Sequence, residues 1–119
     1  MAHEILIVDD EPDIRALIDG ILTDEGYETR QAHNSDAALV AFRQRKPALC
    51  VLDIWLQNSR LDGLGILEAM QREEPAVPCV MISGHGTIET AVRAIQHGAY
   101  DFIEKPFSSD RLLLVVSRA

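Results

Sequence analysis

Five side chains in this 119-residue chain have the types and spacing to do chemistry together: Asp9, Asp10, Asp53, Ser83 and Lys105. Each lies at or just beyond the end of an apolar run that reads as a β-strand. Asp53 lies within Cys50-Val51-Leu52-Asp53-Ile54-Trp55, Asp9 and Asp10 follow Ile5 to Val8, Ser83 follows Cys79 to Ile82, and Lys105 follows Asp101 to Ile103. A carboxylate at the end of a buried strand costs free energy unless it has a partner or a task. If the strands share one parallel sheet, these groups gather at one edge. Three carboxylates in one crevice repel each other unless a cation joins them. Magnesium or manganese takes such hard oxygen donors in octahedral geometry and keeps several waters, so one or two side chains plus a backbone carbonyl complete a site. A carboxylate is also a nucleophile towards phosphorus, giving an aspartyl phosphate. In-line transfer needs the charge on the transferred oxygens neutralised. The metal would do part of this and Lys105 the rest, with Ser83 donating a hydrogen bond to a phosphoryl oxygen. Taken singly, each residue has a plainer reading: Asp10 or Glu11 as a helix cap, Lys105 as a surface lysine, Ser83 as a turn residue. Their joint occurrence at the ends of four strands favours the functional one.

The elements that must position these groups alternate. Strand one, Glu4 to Val8, is continuously apolar from Ile5, as suits a central parallel strand. Pro12 fits the first turn of a helix whose apolar positions are Ile14, Leu17, Ile18, Ile21 and Leu22, and Gly26 stops it. Strand two, Tyr27 to Ala32, carries Glu28, Arg30 and Gln31 and belongs at a sheet edge. Ser35 is a good cap for helix two, which offers Ala38, Leu39 and Phe42. Strand three, Cys50 to Trp55, leads into a loop, Leu56 to Leu61, and then Asp62-Gly63. Helix three uses Leu64, Leu67 and Met70. Strand four, Cys79 to Ile82, ends in Ser83-Gly84-His85-Gly86. Thr87 can cap helix four, with its stripe Ile88, Ala91, Val92 and Ile95, and Gly98 ends that helix. Strand five, Asp101 to Ile103, reads as the other edge. Ser108 or Ser109 caps a last helix with Leu112, Leu113, Val115 and Val116. Strands each followed by a helix predict an α/β fold, a (βα)5 doubly wound parallel five-stranded sheet with the flavodoxin-like order 2-1-3-4-5. In that order ligands bind where the chain reverses direction, between strands one and three, outside their carboxyl ends. Asp9, Asp10 and Asp53 sit at those ends.

Composition excludes several classes. With 11 basic and 19 acidic residues the net charge is −8, a poor basis for contacting nucleic acid or an anionic membrane surface. No apolar run approaches the roughly 20 residues that span a bilayer, and the first residues lack the pattern of a signal peptide. The expected location is the cytoplasm. Cys50 and Cys79 each fall inside an apolar strand and read as reduced core thiols. The length is that of one domain, and the end at Ala119, without a terminal signal, reads as a domain cut from a longer protein.

The combination Asp9-Asp10-Glu11, Asp53, Asp62-Gly63, Ser83-Gly84-His85-Gly86 and Lys105-Pro106-Phe107 resembles the receiver domain of two-component response regulators, over the whole chain. The runs from Ser83 to Ala91 and from Gly98 to Phe107 are similar to the NtrC group of that family. The resemblance implies that Asp53 accepts a phosphoryl group from a sensor histidine kinase. It implies that Asp10, Asp53 and the backbone carbonyl of Trp55 bind Mg²⁺ (or Mn²⁺), with Asp9 acting partly through water. Ser83 and Lys105 contact the phosphoryl group, the Lys105–Pro106 bond is cis, and Phe102 stands where the family has its aromatic switch residue. Two departures stand out. The loop Leu56 to Leu61 lacks a proline and is about two residues longer than the family's usual one. Phe102 has no hydroxyl, so it can pack or swing out but cannot hydrogen-bond.

Trp55 can overhang the phosphoryl group and hinder attacking water, which would prolong the phosphorylated state, or it can merely pack on the loop. His85 flanks the same site and reads more readily as a loop residue than as a base. The expected signal runs from Ser83 and Lys105 through the loop after Gly84 to Phe102. It would change the surface of helix four, strand five and helix five and bias an equilibrium towards a homodimer through that face. The expected role is regulatory, not that of a turnover enzyme, with the output in a missing transcription-regulating part. The alternative is a magnesium-dependent phosphohydrolase with Asp53 as nucleophile. Such hydrolases carry an Asp-x-Asp pair and a cap, and here Asp53 is followed by Ile54 and Trp55 with no insertion long enough for a cap.

Overall fold

The chain alternates strand and helix from end to end, in a computed structural model that describes residues 3–56, 61–84, 88–105 and 107–119. The strands are β1 (Glu4–Val8), β2 (Glu28–Ala32), β3 (Leu49–Asp53), β4 (Cys79–Ser83) and β5 (Asp101–Glu104). The helices are α1 (Pro12–Asp24), α2 (Ser35–Gln44), α3 (Gly63–Glu73), α4 (Ile88–Gln96) and α5 (Ser109–Arg118). All strand pairs are parallel and the order is β2-β1-β3-β4-β5, the arrangement expected from the sequence.

Side chains alternate across a strand, so each central strand feeds two cores. Leu6, Val8, Cys50, Leu52, Cys79 and Met81 face α2 and α3, where Leu39, Phe42, Ile66, Leu67 and Met70 meet them. Ile5, Ile7, Val51, Val80, Ile82 and Ile103 face the other way, onto Ile18 and Leu22 of α1 and Leu112, Val115 and Val116 of α5. The continuous apolar runs of β1, β3 and β4 are thus accounted for by helices on both faces. Cys50 and Cys79 are register partners on adjacent strands, both fully buried.

Several boundaries differ from the sequence reading, each for a local reason. Strand three begins at Leu49 and ends at Asp53, not at Trp55, because the Asp53 carboxylate accepts the Trp55 N–H at 3.2 Å and folds the chain away from the ladder. The cap of α2 is Asn34, whose side chain accepts the Ala37 N–H at 2.8 Å. Ser35 is instead the first helical residue, and its hydroxyl accepts the N–H of Leu61 at 3.1 Å, tying the end of the long loop to α2. The cap of α5 is Ser108, bonded to the Arg111 N–H. Gly26 and Gly98 follow α1 and α4 with φ of 92° and 104°, a region that favours glycine.

Two members of the apolar stripe of α4 face outward. Its buried residue is Ala94, whereas Val92 and Ile95 are each 48% exposed. α4 packs beside the four-residue edge strand β5. Leu17 on α1 likewise faces outward, while Ile18 and Leu22 carry the burial.

Glycine 63 is required by a close approach. A Cβ there would stand 2.1 Å from the Asp53 carbonyl oxygen and 2.5 Å from the Ile54 Cα. The Gly63 N–H also donates to the Ile54 carbonyl at 2.9 Å, so the start of α3 is seated on the peptide that follows Asp53. Gly63→Ala is expected to lower stability by at least about 2 kcal/mol, since backbone atoms rather than a flexible side chain must move. Chemical denaturation checks this, and an unchanged midpoint would refute the close approach.

Candidate functional site

The parallel sheet delivers its acidic residues to one crevice between β1 and β3. Asp9 follows β1, and its N–H still bonds the Ala32 carbonyl of β2 at 3.2 Å. Asp53 closes β3, and the next residue, Ile54, donates to the Ile82 carbonyl of β4 at 2.9 Å. Both carboxylates are buried, Asp10 is half-buried and Glu11 is exposed. One carboxylate oxygen from each of Asp9, Asp10, Glu11 and Asp53 lies within 4.8 Å of all the others.

A single ammonium group reaches three members of this set. Lys105 Nζ lies 3.2 Å from Asp9 Oδ2, 3.4 Å from Asp53 Oδ2 and 3.6 Å from Glu11 Oε1. Its backbone N–H donates to the Ser83 carbonyl at 2.8 Å, which fixes the base of the lysine against the end of β4. The other oxygens are also occupied: Glu11 N–H donates to Asp9 Oδ1 at 2.9 Å, and Trp55 N–H donates to Asp53 Oδ1. Glu11 is the N-cap of α1 by position but makes no side-chain cap bond.

One cation does not neutralise four carboxylates, and the titration of the site reflects the excess. Burial, then the neighbouring charge of Asp9, pushes the Asp53 carboxyl up to about 7, against the pull of Lys105 and the Trp55 N–H. Burial also raises Asp9, opposed by the bond from Glu11 and by Lys105. Burial pulls the Lys105 ammonium down, but the carboxylates of Asp53, Asp9 and Glu11 outweigh it and hold it above its ordinary value. A divalent cation fits this donor set: hard oxygens in close reach of each other, with negative charge left over.

The expected residues divide into three groups. Asp9, Asp10, Asp53 and Lys105 are brought together. Ser83 is fully buried at the end of β4, one register position beyond the partner of Asp53, and its backbone is bonded to Lys105. The Trp55 N–H joins the site while its indole is 49% exposed. Phe102, on β5, lies away from the carboxylates. It packs partly against the core and, with Ala91, Val92, Ile95, Gln96 and Asp101, lines a groove of about 430 Å³ between α4 and β5. His85, the Thr87 cap, the centre of the long loop (57–60) and the Lys105–Pro106 bond lie outside the described residues.

Glu11 and Gly63 gain roles that the sequence reading did not assign. The adjacency Asp9-Asp10-Glu11 was the available signal for the first. For the second, no local signal shows which peptide the glycine must approach. Asp62 was legible in principle, since Asp before an apolar helix is a cap, and its side chain accepts the Gly65 N–H at 2.8 Å.

This chain belongs to the response regulator receiver domain family, whose profile matches residues 5–117. It is 64% identical over all 119 residues to the nitrogen assimilation regulatory protein NtrX of Azorhizobium caulinodans, of which it covers 26%. It is 53% identical over 116 residues to a putative response regulator NtrX-like protein of Rickettsia bellii, covering 98% of this chain and 24% of that one. Among solved structures, the receiver domain of NtrX from Brucella abortus superposes with a TM-score of 0.93 at 63% identity, over 96% of this chain and 95% of that one. The beryllofluoride-activated NtrC4 receiver domain dimer gives 0.90 at 36% identity, over 97% and 93%. The chain is therefore a receiver domain of the NtrX/NtrC type, spanning about a quarter of the length of these curated relatives. The phosphohydrolase alternative draws no support from them.

The raised Asp53 sets a pH dependence of the ion-free protein. A carboxyl whose folded-state value lies above its unfolded value of 3.8 contributes stability that is complete below pH 3.8 and lost as pH rises through about 7. Each tenfold change in proton affinity between the two states is worth about 1.4 kcal/mol. Asp53→Asn, which cannot ionise, is expected to stabilise the ion-free protein at pH 8 by roughly 1–3 kcal/mol, with the gain fading towards pH 4. Thermal melts in a chelator across this range check the sign, and equal melts at pH 8 would contradict it.

Proposed function

We propose that Asp53 is the phosphoacceptor of this receiver domain and that the domain works as a regulatory switch, not a turnover enzyme. The observation that carries this reading is the placement of Lys105 Nζ between Asp9 and Asp53 inside a group of four carboxylates. Such a lysine neutralises part of the charge on an incoming phosphoryl group, and the strand ends present the nucleophile to it. Asp10, Asp53 and the Trp55 carbonyl would hold a Mg²⁺ ion, with Asp9 partly through water; Mn²⁺ has the same donor preference. When bound, the ion supplies the remaining neutralisation of the phosphoryl oxygens.

An Asp53 carboxylate oxygen attacks phosphorus while the bond from phosphorus to the donor breaks. That donor is a phosphohistidine of a sensor histidine kinase, or a small acyl phosphate in vitro. Lys105 and Ser83 then hold the phosphoryl oxygens. The new charge draws both residues towards it, and the adjustment passes to Phe102 and the α4–β5–α5 surface. The exposed Val92 and Ile95 beside the Phe102 groove support that face as the place of homodimerisation. The described residues include no helix long and apolar enough to cross a membrane, and the net charge of −8 speaks against direct contact with nucleic acid. The reading is of a cytoplasmic input domain, part of a longer regulator whose output controls transcription.

The half-exposed Trp55, two residues after Asp53, supports a role in screening the phosphoryl group from water, the alternative being that it merely packs on the loop; His85 flanks the site in sequence and reads more readily as a loop residue. Incubation with acetyl phosphate and Mg²⁺ is expected to add one phosphoryl group by intact mass, abolished by Asp53→Ala. No gain in the wild type, or a gain that survives the substitution, would refute the assignment. The same measurement after removal of the donor is expected to show faster loss from Trp55→Asn, by roughly 3- to 10-fold if water access is limiting. Equal lifetimes would assign Trp55 to packing alone.

A further inference from the structure

A second basic side chain reaches the acidic crevice from α1. Arg15 Nη1 donates to the backbone carbonyl of Asp9 at 2.7 Å, and its Nε donates to Gln31 Oε1 on β2 at 3.4 Å. The bond to Asp9 completes an unusually full set of restraints on one residue. The Asp9 N–H is bonded to Ala32, Oδ1 to the Glu11 N–H, Oδ2 to Lys105 and the carbonyl to Arg15.

The Asp9 carbonyl belongs to the peptide that carries Asp10. A peptide is planar, so fixing its carbonyl direction also fixes where its nitrogen leaves and hence where the Asp10 Cα stands. The dihedrals of Asp10 itself then aim its carboxylate. Without the guanidinium, this plane loses a direct restraint on its carbonyl, in a loop that is not part of any helix or strand.

We propose that Arg15 is a positioning residue for the divalent-ion site: by holding the Asp9–Asp10 peptide it keeps the Asp10 carboxylate within reach of those of Asp9 and Asp53. The inference rests on the reading that these carboxylates bind Mg²⁺. Arg15 touches the site through a main-chain oxygen, not through the reacting atoms.

Charge and positioning give opposite signs, which makes the proposal testable. Arg15 is a cation beside a cation site, so if it acted only through its charge, removing it would tighten Mg²⁺ binding. If it acts by holding the peptide, removing it loosens binding. The probe is Mg²⁺ alone, titrated against the fluorescence of Trp55, the one tryptophan of the chain, two residues from Asp53. The folded Arg15→Ala variant is expected to have a dissociation constant raised roughly 10-fold, the scale on which residues supporting metal ligands act. Its phosphorylation rate by acetyl phosphate at saturating Mg²⁺ should stay within about twofold of the wild type, because the ligands are misplaced and not removed. Arg15→Lys retains the charge and a donor and should recover part of the affinity. If Arg15→Ala does not fold by thermal melt, Arg15→Met, which keeps the apolar stem, carries the same comparison.

Unchanged or tighter binding in a folded variant would overturn the proposal, as would failure of Arg15→Lys to recover any affinity. So would a loss of rate that persists at saturating metal. A wild-type protein that shows no Mg²⁺ binding, confirmed by calorimetry, would instead refute the metal-site reading and take this inference with it. Wild-type binding matched by the variant defeats the inference alone.

Discussion

Four carboxylates held within 4.8 Å of each other around one lysine ammonium form the constraint on which the rest of this structure depends. Like charges at this separation repel, and two of them, Asp9 and Asp53, are shielded from water. The fold tolerates the arrangement because each buried carboxylate accepts a backbone N–H as well as the lysine. It does not neutralise it, and the upward push on the Asp53 carboxyl, from burial and then from Asp9, expresses the remainder. The negative charge left over, on hard oxygens in close reach of each other, is the condition that a divalent cation would relieve.

The scaffold keeps the carboxylates in place by backbone, not by side-chain contacts alone. Ladder bonds continue one residue past β1 and β3, so Asp9 and Asp53 extend from the sheet with its stiffness. The start of α3 is pressed onto the Asp53–Ile54 peptide through Gly63, and the base of Lys105 is bonded to the end of β4. The acidic group is thus braced by β1, β3, β4, α1 and α3 together. By contrast, the α4–β5 side exposes Val92 and Ile95 and leaves Phe102 half-buried beside an apolar groove. The braced crevice and the α4–β5 side meet at Ser83 and Lys105. A change in charge at the crevice would be felt most where the packing resists least.

Much of this was legible in the order of residue types. The alternation of apolar runs with helical spacing specifies a parallel sheet covered on both faces, and polarity alone separates the edge strand β2 from the centre. The convergence of Asp9, Asp10, Asp53 and Lys105 followed from the strand order, since parallel strands put all their carboxyl ends on one side. Helix ends were less legible. Asn34 and Ser35 are both good caps by type, and which one serves was decided by the demand of Leu61 for an acceptor 26 positions away. The outward direction of Val92 and Ile95 on α4 was not legible for a related reason. Helical spacing says that Val92 and Ile95 share a face with Ala91, but not whether a sheet of sufficient length lies beneath it.

The residue types and their period along the chain determined the fold class, the strand order and the identity of the acidic set, because these follow from local propensity and from the sidedness of parallel sheets. Tertiary structure alone decided that Glu11 joins the carboxylates, that Gly63 must have no side chain, that Arg15 grips the Asp9 carbonyl and that α4 turns its large side chains outward. Each of these depends on how side chains and backbone meet in space, through turns and packed layers, and such distances exist only once the chain has folded.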